Sequence, residues 1–591
     1  MSTPTTLCEA FQATAARDPE AVALRTPGDK VTITWREYAS RVRQLAAGLA
    51  GLGVRPGDTV GIMLTNRPEF HLFDTAALHA GAIPFSIYNT SAPEQISYLF
   101  GNAGNRVVVC EEQFVPKLLS ARDGTAVEHL VCVDGKPEGT MSVEELEAAA
   151  DPDFDFEGTW RAVKPDGIAT LIYTSGTTGP PKGVEITHAG LFAEFAALDA
   201  ITPSTHHDRV LSYLPSAHIA DRTGSQYTQL VYGAQVTCLA DPKQVLGALT
   251  DVRPTVFGAV PAVWYKLKAG IEAAIAAEPK AARRRLATWA VETGRSAASL
   301  AAAGRPVPRS LALRHKVADR LVLRKIRARL GLDAVRASMS GAAPIAPEVL
   351  EFVFGLGIPV YEVWGMSETT CIATCNPPGA VRVGTVGTAV KGVELRLAED
   401  GELLVRAPIV MRGYRNDPAR TAEALDADGW LHTGDVATID AEGYVRIVDR
   451  KKELIINQGG KNLSPANIEN AVKAACPLAA HVAAIGDNRP YVTALIVLDA
   501  EVASAAAGRT GPVTPSADLA ADLAADPAVR AAVEAGVRAA NGKLSRVEQL
   551  KRYEILPCFW EPGGAELTPT IKLRRKPIAE RYADRIEAMY G

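Results

Sequence analysis

An α/β fold class is predicted by strands that alternate with helices along the first third of the chain, by a soluble-type composition, and by a length that exceeds one core. The 591 residues pass the ~250–300 at which single cores usually split, so at least two domains are expected. Apolar residues make up 47% and charged residues 22%, which excludes disordered and collagen-like classes. The 63 basic and 67 acidic residues leave a net charge of −4, so no global field draws the chain to nucleic acid. Mean hydropathy is +0.03, and no uncharged apolar run approaches the ~18–20 residues of a membrane span. Met1–Leu7 has neither the basic nor the apolar region of a secretory leader. The eight cysteines are scattered, with Cys371 and Cys375 as the one close pair, a usage that suits reduced thiols in the cytoplasm.

Trp35–Leu52 places Tyr38, Val42, Leu45, Ala46 and Leu49 on one helical face, Gly53 ends it, and Asp58–Leu64 follows as an apolar strand. Pro68–Gly81 reads as helix and Ala82–Tyr88 as strand. Arg106–Cys110, Gln113–Ala121 and His129–Val133 repeat the alternation, which favours doubly wound layers over a sandwich or bundle. No fixed-period repeat is present. After Asp435 come two short turn-separated segments and then Asp449-Arg-Lys-Lys-Glu453, a charged stretch expected outside any core. Leu454–Ile456, the helical Pro465–Ala475, and strands at Val482–Ile485 and Val492–Leu498 form a smaller unit. The boundary is placed at 449/450, giving domains 1–449 and 450–591, the second of domain size on its own.

Ile271–Leu330 is rich in Ala and Arg. Fourteen basic residues between Lys280 and Arg329 face only Glu292 and Asp319, a local charge of +12. Such a segment is either a solvated helical face with several arginines in intramolecular pairs, or a patch that meets an anionic cofactor or lipid headgroups at an inner membrane surface.

The strongest local signal is Leu171-Ile-Tyr-Thr-Ser-Gly-Thr-Thr-Gly-Pro-Pro-Lys-Gly-Val184. An apolar strand, Ile168–Tyr173, runs into hydroxyls and glycines and then Lys182. Glycines admit main-chain N–H groups close to phosphate oxygens, hydroxyls add donors, and lysine adds a mobile charge. Walker A spacing is not met, because Pro181 stands where the second glycine belongs.

Thr174-Ser-Gly-Thr-Thr-Gly-Pro-Pro-Lys-Gly183 resembles the signature loop of the adenylate-forming (ANL) superfamily of acyl-CoA synthetases, peptide adenylation domains and luciferases. Further segments resemble its motifs in order: Tyr213-Leu-Pro-Ser-Ala-His218, Ser340-Gly-Ala-Ala-Pro344, Tyr361-Glu-Val-Trp-Gly-Met-Ser-Glu368, Gly429-Trp-Leu-His-Thr-Gly-Asp435, Asp449–Gly460 and Thr568-Pro-Thr-Ile-Lys572. The resemblance spans nearly the whole chain. It implies a large multi-layer N-terminal adenylation domain and a smaller, mobile α+β C-terminal domain.

By the same resemblance, Ser175, Gly176, Thr177, Thr178, Gly179 and Lys182 would hold the β- and γ-phosphates of ATP. Thr174 and Glu368 match Mg2+-associated positions, Glu368 and His218 sit with the reacting groups, and Lys572 is the catalytic lysine. Gly341, Glu362, Val363, Trp364, Gly365 and Ser367 match the nucleotide-flanking elements, with Trp364 where the family usually carries Tyr. Asp435 and Arg450 match ribose contacts, Lys452 the hinge, and Gly459 and Gly460 the loop along the CoA channel. Arg284–Ala290, His315–Val322 and Ile455–Asn462 are similar to long-chain fatty acyl-CoA synthetases of the bacterial FadD type. Val256–Lys266 and Ser338–Ala343 would then line the acyl tunnel. Arg222 falls near the position of an aromatic tunnel gate in some relatives. The implied reaction consumes ATP, a fatty acid and CoA; a ligase that loads an acyl carrier protein is the alternative.

Overall fold

The structure, a computed structural model, describes residues 3–174, 180–458, 461–509, 511, 513–568 and 571–591. The expected alternation builds an eight-stranded sheet. Its order is Gly413–Tyr414, Lys182–Thr187, Ile168–Thr174, Ile83–Ser86, Thr59–Met63, Val107–Cys110, His129–Cys132, Met141–Ser142. The strands from Ile168–Thr174 to Met141–Ser142 pair in parallel, and from Ile83–Ser86 to His129–Cys132 their near-continuous apolar runs are buried on both faces, as crossover helices require. The Pro68–His79 helix is buried all round beneath this sheet.

A second sheet joins Val256–Ala259, Ala337–Ser340 and Val360–Trp364 in parallel and ends in two short antiparallel strands. A smaller sheet carries Arg209–Ser212, Gln235–Cys238 and Val22–Arg25. An antiparallel four-stranded sheet, 394–450, completes this part. The chain beyond Ile455 encloses apolar cores of its own, around Ile468, Val472, Leu495 and Val533. Its sheet pairs Ala479–Ile485, Val492–Leu498 and Leu550–Ile555. Among the described residues no helix is long and apolar enough to cross a membrane.

Two local expectations, for Gln113–Ala121 and for Asp449, are corrected. The helix expected at Gln113–Ala121 begins at Val115, after a 3-10 turn at Glu112–Phe114, because Pro116 lacks an N–H and is tolerated only in a helix's first turn. Asp435 lies inside the Leu431–Ile439 strand, whose remainder and Val445–Arg450 are the two short turn-separated segments expected after it. Asp449 is buried despite its charged neighbours: its Oδ2 accepts from Ser464 Oγ at 2.6 Å and from Ala466 N at 3.1 Å. Cys371 and Cys375 do not share a helix, since positive φ at Thr370 (55°) and Cys371 (134°) ends the short Ser367–Thr369 turn.

Candidate functional site

The Ile168–Thr174 and Lys182–Thr187 strands are antiparallel neighbours with Thr174 opposite Lys182. Ser175, Gly176, Thr177, Thr178 and Gly179 lie outside the described residues, as do Gly459 and Gly460. Lys182 Nζ stands 3.5 Å from Tyr414 Oη and 4.5 Å from the ring centroid. Tyr414 in turn donates to Glu368 Oε1 at 2.9 Å. Met411 N also donates to Glu368 O at 2.8 Å, so the 409–414 segment fixes both main chain and side chain of the buried Glu368. Burial and the Glu368 carboxylate push the Tyr414 phenol upward, which keeps it a donor. Tyr414 carries no motif signal; only its two-residue pairing with Val184 and Glu185's strand brings it here.

The Val360–Trp364 strand alternates its side chains between two faces. Trp364 Nε1 donates to Asp435 Oδ2 at 2.8 Å, and Arg450 Nε meets Asp435 Oδ1 at 2.6 Å. Asp435 and Arg450 are register partners on adjacent strands, which fixes this pairing. Burial raises the Asp435 carboxyl, with Arg450 pulling against it. Glu362, on the Trp364 face, accepts from Gly384 N at 3.1 Å, and burial pushes it up to about 8. On the other face, Val363 Cγ2 lies 2.8 Å from where a Gly341 Cβ would sit, so a bare backbone is required at 341. A Gly365 Cβ would fall 1.8 Å from Cys371 O, which closes the strand onto the following loop. Ser367 is buried in the short turn that presents Glu368.

His218 caps the helical turn Ile219–Asp221, its Nδ1 accepting from Ala220 N at 3.1 Å. That bond leaves the ring proton on Nε2. Burial first, and Lys572 second, push its pKa down to about 4, so the ring is a neutral donor at pH 7. Lys572 follows residues 569–570, which lie outside the described set. Its N donates to Thr568 Oγ1 at 3.0 Å, and Thr568 N donates to Lys572 O at 2.8 Å. The side chain keeps solvent contact, yet protein encloses the volume around it. Burial lowers its pKa, Arg450 adds to this, and Asp435, Glu453 and Glu368 oppose. Those charges and His218 come from elements spread widely along the sequence, and Lys572 joins them from the far end of the chain.

Lys452 is exposed in the turn after Arg450 and is not brought to this cluster. Arg222, for which no gating role is expected, is fully buried and paired with Asp74. Thr174 and Glu368 offer hard oxygen donors of the kind Mg2+ takes, and Glu368 Oε2 accepts from no donor among the described residues. Among those residues no group of three or more His, Cys, Asp or Glu surrounds a metal position.

The family model described as AMP-binding enzyme matches residues 11–415, and the AMP-binding enzyme C-terminal domain matches 452–591. The chain belongs to the AMP-binding enzyme family. Within it, 454 residues are 54% identical to fadD11 of Mycobacterium tuberculosis (strain ATCC 25618 / H37Rv), whose name assigns it provisionally to the fatty-acid–CoA ligases. That match covers 77% of this chain and 79% of the relative. The long-chain-fatty-acid–CoA ligase FadD15 of Mycobacterium bovis is 35% identical over 97% of this chain and 95% of its own. The anthranilate CoA ligase AuaEII in complex with anthranoyl-AMP superposes with a TM-score of 0.73 at 19% identity, covering 100% of this chain and 99% of its own. This AMP-binding enzyme therefore has the adenylate-forming α/β fold, a large N-terminal part with a separate C-terminal domain.

In this AMP-binding enzyme one indole N–H ties Trp364 to Asp435, two candidate nucleotide contacts. Trp364→Phe keeps a ring and removes the donor to Asp435. A hydrogen bond to a charged group contributes ~1.5–3 kcal/mol, so KM for ATP should rise about tenfold in ATP–pyrophosphate exchange with a smaller change in kcat. An unchanged KM would separate the indole from nucleotide binding.

Proposed function

We propose that this enzyme is a long-chain fatty acid–CoA ligase that forms AMP, dividing at 449/450 into an adenylation domain and a mobile domain hinged at Lys452. What supports the reading is that Lys572, from the C-terminal domain, lies within electrostatic reach of Asp435, Arg450, Glu368 and His218. A carboxylate is a poor acyl donor because it is anionic and would have to expel oxide. Its attack on the α-phosphate of ATP forms a P–O bond as pyrophosphate departs, and it brings two anions together, so charge neutralisation and alignment dominate the barrier.

Lys572 neutralises charge between the carboxylate and the α-phosphate. Lys182, steadied on Tyr414, attends the departing pyrophosphate, and neutral His218 donates from Nε2 beside the acyl carboxylate. Asp435 accepts from the ribose hydroxyls while Trp364 and Arg450 hold its rotamer. Mg2+ bound at Thr174 and Glu368 would neutralise phosphate charge. In the second step the CoA sulfur replaces AMP at the acyl carbon, and Lys572 has no further role. The bare Gly258, with nothing within 4 Å of its Cβ position, together with Met339 and Val363 on the same sheet face, supports an acyl slot along Val256–Lys266 and Ser338–Ala343. The basic segment 280–329 supports peripheral association of a cytoplasmic enzyme with the inner membrane face.

A panel of saturated fatty acids from medium to long chains, with ATP, Mg2+ and CoA, should release AMP and acyl-CoA in equal amounts, with the longer acids preferred. Acyl-adenylate that accumulates without thioester would favour the carrier-protein alternative. No pyrophosphate from any acid would overturn the reading.

A further inference from the structure

The helix Arg309–Ala318 and the π-turn Asp319–Leu323 that continues it carry Leu313, Val317 and Leu321 at 65%, 44% and 46% exposure. Their i, i+4, i+8 spacing sets them in one row along the helix. The opposite side is anchored: Ala318 and Leu323 are fully buried in the core that also holds Phe257, Val263 and Trp264. The row is therefore the outward face of a fixed helix, with no intramolecular surface left to cover it among the described residues.

The surrounding charge is equally unpartnered. Of the fourteen basic residues between Lys280 and Arg329, only Arg295 and Arg327 meet a carboxylate among the described residues. Arg314, Lys316, Arg320 and Arg324 are exposed beside the apolar row. A solvated face with internal pairs would spend its arginines on neighbours, and this one does not. Apolar side chains bracketed by free cations are the composition of a helix that lies in a membrane interface.

We propose that Leu313, Val317 and Leu321 insert into the interfacial layer of an anionic bilayer while the flanking cations bind its headgroups. This deepens the electrostatic association proposed above and rests on it, adding an apolar anchor that charge alone does not supply. The anchor shares its core with Phe257, Val263 and Trp264, on the strand and helix that flank the proposed acyl slot.

The test uses the full chain and vesicles of phosphatidylcholine with or without about 30% phosphatidylglycerol, the anionic component that attracts basic segments. Wild type should bind the anionic vesicles, lose about tenfold or more in affinity between low and high salt, and ignore pure phosphatidylcholine. The triple variant L313S/V317S/L321S should keep its melting temperature and its turnover of a short water-soluble acid, yet bind anionic vesicles about tenfold more weakly. The single variant Leu313→Trp should show blue-shifted emission on the same vesicles and quenching by brominated acyl chains. Wild type that ignores anionic vesicles, or binds neutral ones equally, would overturn both the anchor and the electrostatic reading. A triple variant that binds like wild type, or an L313W variant whose emission does not shift on the vesicles it binds, would overturn the anchor alone.

Discussion

Lys572→Ala is expected to slow acyl-adenylate formation by about a hundred- to a thousand-fold, the loss seen when one preorganised charge-stabilising donor is removed. Conversion of a supplied acyl-adenylate to the thioester should stay within a few fold of wild type. The split follows from geometry. With the C-terminal domain as it sits here, Lys543 paired to Glu348 across the two parts of the chain, Lys572 feels the charges of Asp435, Arg450 and Glu368. In the proposed mechanism the domain then moves and takes Lys572 away. ATP–pyrophosphate exchange reads the first step and single-turnover thioester formation the second; equal losses in both would sink the division of labour. The pH profile offers a second check. Burial and Arg450 lower the Lys572 pKa, so its ammonium is lost at a lower pH than that of a free lysine. Adenylation should therefore fall as pH rises through a limb below the ordinary lysine value, and Lys572→Ala should lack that limb. Lys572→Arg should recover little, because a planar guanidinium does not replace a compact ammonium.

Much of this arrangement is legible in the sequence where chemistry and local periodicity coincide. The Pro465–Ala475 helix and the Val492–Leu498 strand match their expected bounds because each is a long, one-pattern segment. The phosphate-loop strand reads as clearly, since an apolar run breaks abruptly into glycine and hydroxyl. What stays hidden is whatever depends on register between distant strands. Tyr414 reaches Lys182 and Glu368 through a two-residue strand pairing that leaves no trace in composition. The Trp364–Asp435 bond likewise joins two motifs 71 residues apart, each of which reads as a separate contact in the sequence. Asp449 misleads for a similar reason: among three basic neighbours it looks solvated, yet its carboxylate receives the N-terminus of the Pro465–Ala475 helix. Arg222 is the clearest case, because its position in the chain points toward the acyl tunnel while its side chain is spent inside the core.

That core contact supports the second large prediction. Arg222 Nη1 and Asp74 Oδ2 lie 2.5 Å apart and both side chains are fully buried. Burial pushes the Asp74 carboxyl upward while the Arg222 guanidinium pulls against it, favouring the ionised carboxylate. Removing one partner leaves an uncompensated charge in the core, at a cost of about 3–5 kcal/mol. Asp74→Ala should therefore lower the melting temperature by several degrees. It should also raise KM for ATP, because Arg222 Nη2 holds Thr170 Oγ1 at 2.6 Å on the strand that runs into the phosphate loop. Removing both charges gives a sharper result. In D74L/R222M no ion is buried, and Thr170 keeps its hydrogen bond to Pro84 O at 2.8 Å. Apolar replacement of a buried pair is often neutral or stabilising, so the double variant should recover most of the lost melting temperature. A double variant as unstable as Asp74→Ala would trace the loss to packing around Phe70 and Tyr227, whose rings flank the guanidinium at 5.4 and 5.2 Å. A stable Asp74→Ala would remove the pair from any role in holding the phosphate-loop strand.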